Sequence, residues 1–262
     1  MLLRNKNAVI YGAGGSLGGG VARTFAREGA TVFLTGRTTE TLAAVAEDIT
    51  DAGGVAHVAV VDALDERAVD DHLRAVVAEV GSVDLSFNLV TRGDVQGTPL
   101  VQMATEDFVR PITTGITANF ITARAAARQM VEQRSGVILA LDSGSAHLSP
   151  MMGGTGPADA AIDTLVRNLA AEVGPSGVRV VGLWVAGIPE SLTPEKLAAV
   201  NSAMKLDDAA LRGLLEQLAQ MRMLRRSPTL PEVAATAAFL ASDQAAGITA
   251  TFVNVTGGIF PS

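Results

Sequence analysis

The sequence predicts an α/β protein built on one doubly wound parallel sheet of about seven strands, with helices on both faces. Three observations predict it. Short runs rich in Val, Ile and Leu recur along the chain, separated by longer segments of helical period. These runs do not alternate apolar with polar residues, which is the pattern of strands covered on both faces. The first run leads straight into a glycine-rich loop that opens a helix.

Strands are expected at residues 7–11, 31–35, 55–60, 85–88, 137–141, 179–184 and 251–255. Helical stretches are expected at 42–49, 68–80, 120–131 and 158–173. In the last of these, Ala158, Ala161, Ile162, Leu165, Val166 and Leu169 form one apolar stripe, and Pro157 suits the first turn. A further helix opens at Pro231. Strand–helix alternation requires right-handed crossovers and therefore a parallel sheet. One segment, residues 185–230, is far longer than a connection needs, and it holds helical pieces at 194–203 and 207–223. An insertion after a strand's carboxyl end stands where ligands bind in such sheets, so it is read as a substrate lid. No linker, repeat or low-complexity tract interrupts the chain, and residues 1–262 are read as a single domain.

Composition narrows the function classes. Hydrophobic residues make up 48% and charged residues 18%, which suits a compact globule rather than a disordered chain. A net charge of −7, with no basic cluster beyond Arg225-Arg226, argues against nucleic acid or an anionic membrane as partner. The absence of cysteine removes disulfides, thiolate nucleophiles and cysteine-ligated metal sites. No apolar run approaches the roughly 20 residues that span a bilayer, and the first residues do not read as a signal peptide. A cytoplasmic location and no metal are expected.

The loop Tyr11-Gly12-Ala13-Gly14-Gly15-Ser16-Leu17-Gly18 follows the first strand and precedes a helix. Glycines there let the backbone approach a pyrophosphate, and the helix N-terminus offers free N–H groups and a positive dipole end. The second strand ends at Gly36, followed by Arg37 and Thr38. A carboxylate at that tip would repel a 2′-phosphate, whereas a guanidinium pairs with one, so NADP(H) is expected over NAD(H).

The chain resembles the short-chain dehydrogenase/reductase family over essentially its whole length, which implies a Rossmann-type fold and a nicotinamide cofactor. Gly12 and Gly18 match the first and third glycines of the family loop, with Ser16 at the second. The resemblance adds Asp62 and Ala63 on the adenine, Asn88 as a brace of the sheet, and Gly187 and Ile188 beyond the sixth strand. Ser143 falls on the family's catalytic serine. Counting on by the family's spacing places its tyrosine and lysine at Gly156 and Ala160, and its helix asparagine at Gly115. The only tyrosine is Tyr11, and the only lysines are Lys6, Lys196 and Lys205. The resemblance also implies a homodimer or homotetramer through the helices at 120–131 and 158–173.

A ketone reductase needs a positioned acid, worth roughly 10²–10⁴-fold in rate. Asp142, His147 and Asp159 are the nearby candidates for that role, His147 because its ordinary pKa suits neutral pH. An iminium ion needs no acid, because it already carries its charge. Reduction of a C=N bond is therefore expected, with Asp142 or Asp159 as the partner carboxylate and Ser143 orienting the substrate. Met151, Met152, Met204, Met221 and Met223 suggest a bulky hydrophobic small molecule. Two alternatives stand beside this: an inactive NADP(H)-binding sensor or partner subunit, and a non-redox cyclase on the same scaffold.

Overall fold

The computed structural model describes every residue except 202, 203, 205, 260 and 262. The strands are β1 (Asn7–Tyr11), β2 (Thr31–Gly36), β3 (Val55–Val60), β4 (Leu85–Asn88), β5 (Gly136–Asp142), β6 (Val178–Trp184) and β7 (Thr251–Asn254). All pair in parallel, in the order β3-β2-β1-β4-β5-β6-β7. The order reverses between β1 and β4, which opens a crevice at the carboxyl ends of the strands.

The helices are α1 (Ser16–Arg27), α2 (Thr39–Asp51), α3 (Glu66–Val80), α4 (Thr105–Gln133), α5 (Thr155–Val173), α6 (Pro194–Val200), α7 (Asp208–Gln220) and α8 (Leu230–Ala241). Strand periodicity sorts the core into two layers. Ala8 and Ile10 of β1 pack with α1, α2 and α8, while Val9 and Tyr11 pack with α3, α4 and α5. Because β1 is buried on both sides, it reads as a continuous apolar run.

Several expectations need correction. β3 is not covered on both faces: Val55, Val58 and Val60 are exposed, because β3 ends the sheet. α4 starts at Thr105 and runs through Pro111, well before the expected start at residue 120. Burial of Pro111, Gly115 and Ala118 against the core overrides their poor helix propensity. The buried side of α5 includes Thr155, Asp159 and Asp163 at its amino-terminal end, while Ala161, Leu165 and Leu169 of the expected stripe are only half-buried. The piece expected at 194–203 ends as α6 at Val200, and its residues 202 and 203 lie outside the described residues.

The piece expected at 207–223 ends at Gln220, where the chain turns Arg222 inward. Its guanidinium donates to the carbonyls of Thr256 (2.8 Å) and Ala186 (2.7 Å), and also to Leu218. That buried side chain ties the root of segment 185–230 to the exit of β6 and the C-terminal turn. No helix among the described residues is long and apolar enough to cross a membrane.

Candidate functional site

The glycine loop leaves β1 at the crevice. Gly12 has φ 75°, and a Cβ there would meet the Leu89 carbonyl oxygen at 2.7 Å. A Cβ on Gly18 would meet the Ala13 Cα at 2.9 Å. Glycine is required at both positions by close backbone approach. α1 opens at Ser16 with no side-chain cap and no acidic residue in its first turn. The N–H groups around Gly14, Ser16 and Leu17 therefore form an uncapped, electropositive turn, and this cradle fits a dinucleotide pyrophosphate.

Arg37 is exposed at the tip of β2 and forms no ion pair among the described residues. Thr38 is the N-cap residue of α2 but leaves its hydroxyl out of the cap. Asp62 accepts from the Leu64 N–H (3.0 Å), fixing a turn that buries Ala63. Asn88 accepts from the Val90 N–H (3.1 Å) and so braces the loop after β4. Gly187 (φ 59°) and buried Ile188 follow β6 on the same edge of the sheet.

The centre of the crevice is a buried polar network. Asp159 is fully buried, and one of its oxygens accepts from the Ser143 N–H (3.1 Å), the Ser143 hydroxyl (2.6 Å) and the Ser145 N–H (2.9 Å). Its other oxygen accepts from Arg92 Nη1 at 2.6 Å. Arg92 also pairs with Asp94 (3.2 Å), and Asp94 accepts from the Thr155 hydroxyl (2.8 Å). Gln96 Nε2 reaches that hydroxyl at 3.3 Å. Burial alone would lower the Arg92 pKa, but Asp94 and then Asp159 outweigh it and hold the guanidinium charged.

This geometry corrects the sequence register by one residue. Ala160 is exposed, whereas Asp159 meets Ser143 and Ser145, and Thr155, one turn earlier on the same buried side, meets Asp94 and Gln96. The expected pair Gly156 and Ala160 thus yields to Thr155 and Asp159, because those two side chains are buried in the polar network while Ala160 faces solvent. At Gly115 a Cβ would meet Arg92 Cδ at 2.7 Å. The absence of a side chain there gives Arg92 its space.

Asp142 departs from its expected role as a partner carboxylate. It is buried, and one oxygen accepts from the Gly144 N–H at 2.8 Å. Burial first, then the charge of Asp159, pushes its pKa up to about 9. At neutral pH it is a neutral acid, and its second oxygen, otherwise without a partner, becomes a donor to Asp163. Such a group carries no charge to pair with a cation. His147 is exposed and rests edge-on against Trp184 with ring centroids 5.0 Å apart. It stands at the rim, outside the network around Ser143.

Among the described residues, no tyrosine or lysine reaches this centre through space. Tyr11 is buried in the core layer of α3 and α4, where burial and then Asp70 raise its pKa. Lys6 pairs with Asp243, Lys196 with Ser16, and Lys205 lies outside the described residues. Of the methionines, Met151, Met221 and Met223 are exposed, and Met152 and Met204 are half-buried. Sequence reasoning missed Arg92, Asp94, Gln96 and Thr155. The available signal was charged residues crowded just after β4, at the carboxyl edge of the sheet.

Residues 12–259 match the profile of the protein family described as enoyl-(acyl carrier protein) reductase. The chain is 29% identical to an L-rhamnose 1-dehydrogenase (NAD(P)(+)) of Azotobacter vinelandii, over 99% of this chain and 98% of that protein. It is 31% identical to momilactone A synthase of Oryza sativa, over 98% of this chain and 90% of the other. Among solved structures, a 7α-hydroxysteroid dehydrogenase complexed with NADH and 7-oxo glycochenodeoxycholic acid superposes with a TM-score of 0.84 at 27% identity. That match covers 98% of this chain and 94% of the other.

Proposed function

This chain belongs to the short-chain dehydrogenase/reductase family of oxidoreductases, and on that premise we propose that it is an NADPH-dependent reductase of C=N bonds acting on a bulky hydrophobic iminium substrate. The observation that carries the reading is the direction of the hydrogen bonds at Ser143. Asp159 as a carboxylate can only accept, so the Ser143 proton goes to it. The 2.7 Å contact with Ser145 must then be donated by Ser145. What Ser143 has left for a ligand is a lone pair. An iminium N–H finds an acceptor there, while a ketone oxygen finds no donor.

The charge balance points the same way. Arg92 lies between Asp94 and Asp159, so the three groups together leave one negative charge, which favours a cationic substrate. Gly12, Gly14, Ser16, Leu17 and Gly18 would hold the pyrophosphate of the cofactor. Arg37 and Thr38 would hold the 2′-phosphate, with Asp62 and Ala63 at the adenine. Asn88 braces the site, and Gly187 and Ile188 lie toward the nicotinamide. When bound, the dihydronicotinamide would supply a hydride. An iminium carbon that received it would return the C=N electron pair to nitrogen as a neutral amine, with no proton required from the protein. Arg92 could not serve as an acid, since arginine does not deprotonate in proteins. Asp142 has its acidic proton turned toward Asp163.

The lid reading of segment 185–230 and a homodimer or homotetramer belong to this proposal. Exposed Phe120 and Val131 on α4 line one cleft with Leu165 and Leu169 of α5, which suits association through those helices. The test is NADPH oxidation with a panel of cyclic iminium compounds and the matching ketones. Turnover confined to the C=N compounds, and lost with Asp159→Asn, supports the reading; ketone turnover sinks it. One observation favours a second reading, an inactive NADP(H)-binding homologue: Arg92 fills the space beside Gly115 with ion pairs. Micromolar NADPH binding with no turnover of any compound would select it.

A further inference from the structure

Segment 185–230 reaches across the crevice at one point. Lys196, in α6, extends to the glycine loop, where its Nζ lies 2.6 Å from Ser16 Oγ. The two residues are 180 apart in sequence. Ser16 is the first residue of α1, on the uncapped turn described above. The partner is a neutral hydroxyl, and among the described residues Lys196 makes no ion pair with a carboxylate. The contact lies at the surface, with Lys196 exposed and Ser16 half-buried.

We infer that Lys196 is a phosphate-binding residue, carried by the lid, that closes over the pyrophosphate of the bound dinucleotide. The inference rests on the cofactor reading and adds to it the group that couples the lid to the cofactor. The loop itself offers only backbone N–H groups and the Ser16 hydroxyl; from residue 11 to residue 20 it contains no cation. A pyrophosphate on those N–H groups carries negative charge to the Ser16 side of α1, where Nζ already stands. An ammonium bound to a phosphate oxygen makes a stronger hydrogen bond than one bound to a hydroxyl. The flexible lysine stem can exchange Ser16 for phosphate without moving α6. Thr193, which caps α6 by accepting from the Lys196 N–H at 3.3 Å, fixes the start of the helix that carries the lysine.

Binding, measured by calorimetry, tests this directly. Lys196→Gln should weaken NADPH about tenfold, roughly the loss of one charge-assisted contact. Lys196→Arg should recover most of the affinity. Adenosine 2′-monophosphate, which lacks the pyrophosphate, should bind the wild type and Lys196→Gln equally. The gap between wild type and Lys196→Gln should narrow as salt rises, because the contact is exposed. Wild-type binding of NADPH with Lys196→Gln within twofold of it overturns the inference and leaves the cofactor reading standing. Equal losses for NADPH and adenosine 2′-monophosphate would also overturn it, since the effect would then lie away from the pyrophosphate. A wild type that binds no dinucleotide overturns the cofactor reading and takes this inference with it.

Discussion

Arg92 Nη1 and Asp159 Oδ1 meet at 2.6 Å inside the crevice, with Asp159 fully buried and the Arg92 side chain 15% exposed. An ion pair this deep is costly to break from one side, because the remaining charge stays buried without a partner. Asp159→Asn should therefore destabilise the fold by about 3–5 kcal/mol in urea unfolding. Combining it with Arg92→Met should recover at least half of that loss. Additive losses would show that the pair is not coupled.

Gly115 and Arg92 form a second pair of this kind. Gly115→Ala adds a methyl group 2.7 Å from Arg92 Cδ and should cost about 1–3 kcal/mol. In an Arg92→Ala background the clash disappears and alanine's helix propensity takes over. The same substitution should then stabilise by up to about 1 kcal/mol. The check is a double-mutant cycle by chemical denaturation, and an unchanged sign in the second background would refute the contact.

Asp142 gives a pH dependence. Its carboxyl is raised from 3.8 in the unfolded chain to about 9 in the fold, by burial and then by Asp159. The folded state keeps a proton that the unfolded state releases. This contribution to stability is complete below pH 4, declines as pH rises, and is lost by about pH 9. Asp142→Asn imitates the neutral acid at every pH. The variant should melt several degrees above wild type at pH 8, with the gap closing toward pH 4. Melting curves at a series of pH values decide it, and parallel profiles would mean that Asp142 is charged in the fold.

Among the described residues Arg37 has no ion-pair partner at the end of β2, so its effect should be confined to the 2′-phosphate. Arg37→Ala should weaken NADPH about tenfold or more and leave NADH unchanged. Fluorescence titration of both cofactors provides the comparison. Equal weakening of the two would place Arg37 elsewhere on the cofactor.

The fold was legible because its signals are local. Apolar runs mark β1 through β7, and the glycine loop fixes where β1 ends and α1 begins. The centre was harder to read, because its partners come from distant parts of the chain. Arg92 reaches Asp159 across 67 positions, and no periodicity in the sequence joins them. A spacing rule applied from Ser143 landed on Gly156, one residue late, since only packing decides which face of α5 turns inward. The role of Asp142 was similarly hidden: its charge depends on burial beside Asp159 and Asp163, which composition does not disclose. Pro111 and Gly115 masked the start of α4, whose length is set by its fit to the sheet.

On the proposed function, the site would reduce a cation without supplying a proton. The most direct measurement is the rate of NADPH oxidation with a cyclic imine from pH 6 to pH 9, beside the ketone of the same ring. The rate should be proportional to the protonated fraction of the imine, falling as that fraction falls, and the ketone should not turn over. Ketone reduction with a rate set by an enzyme group of its own would contradict it.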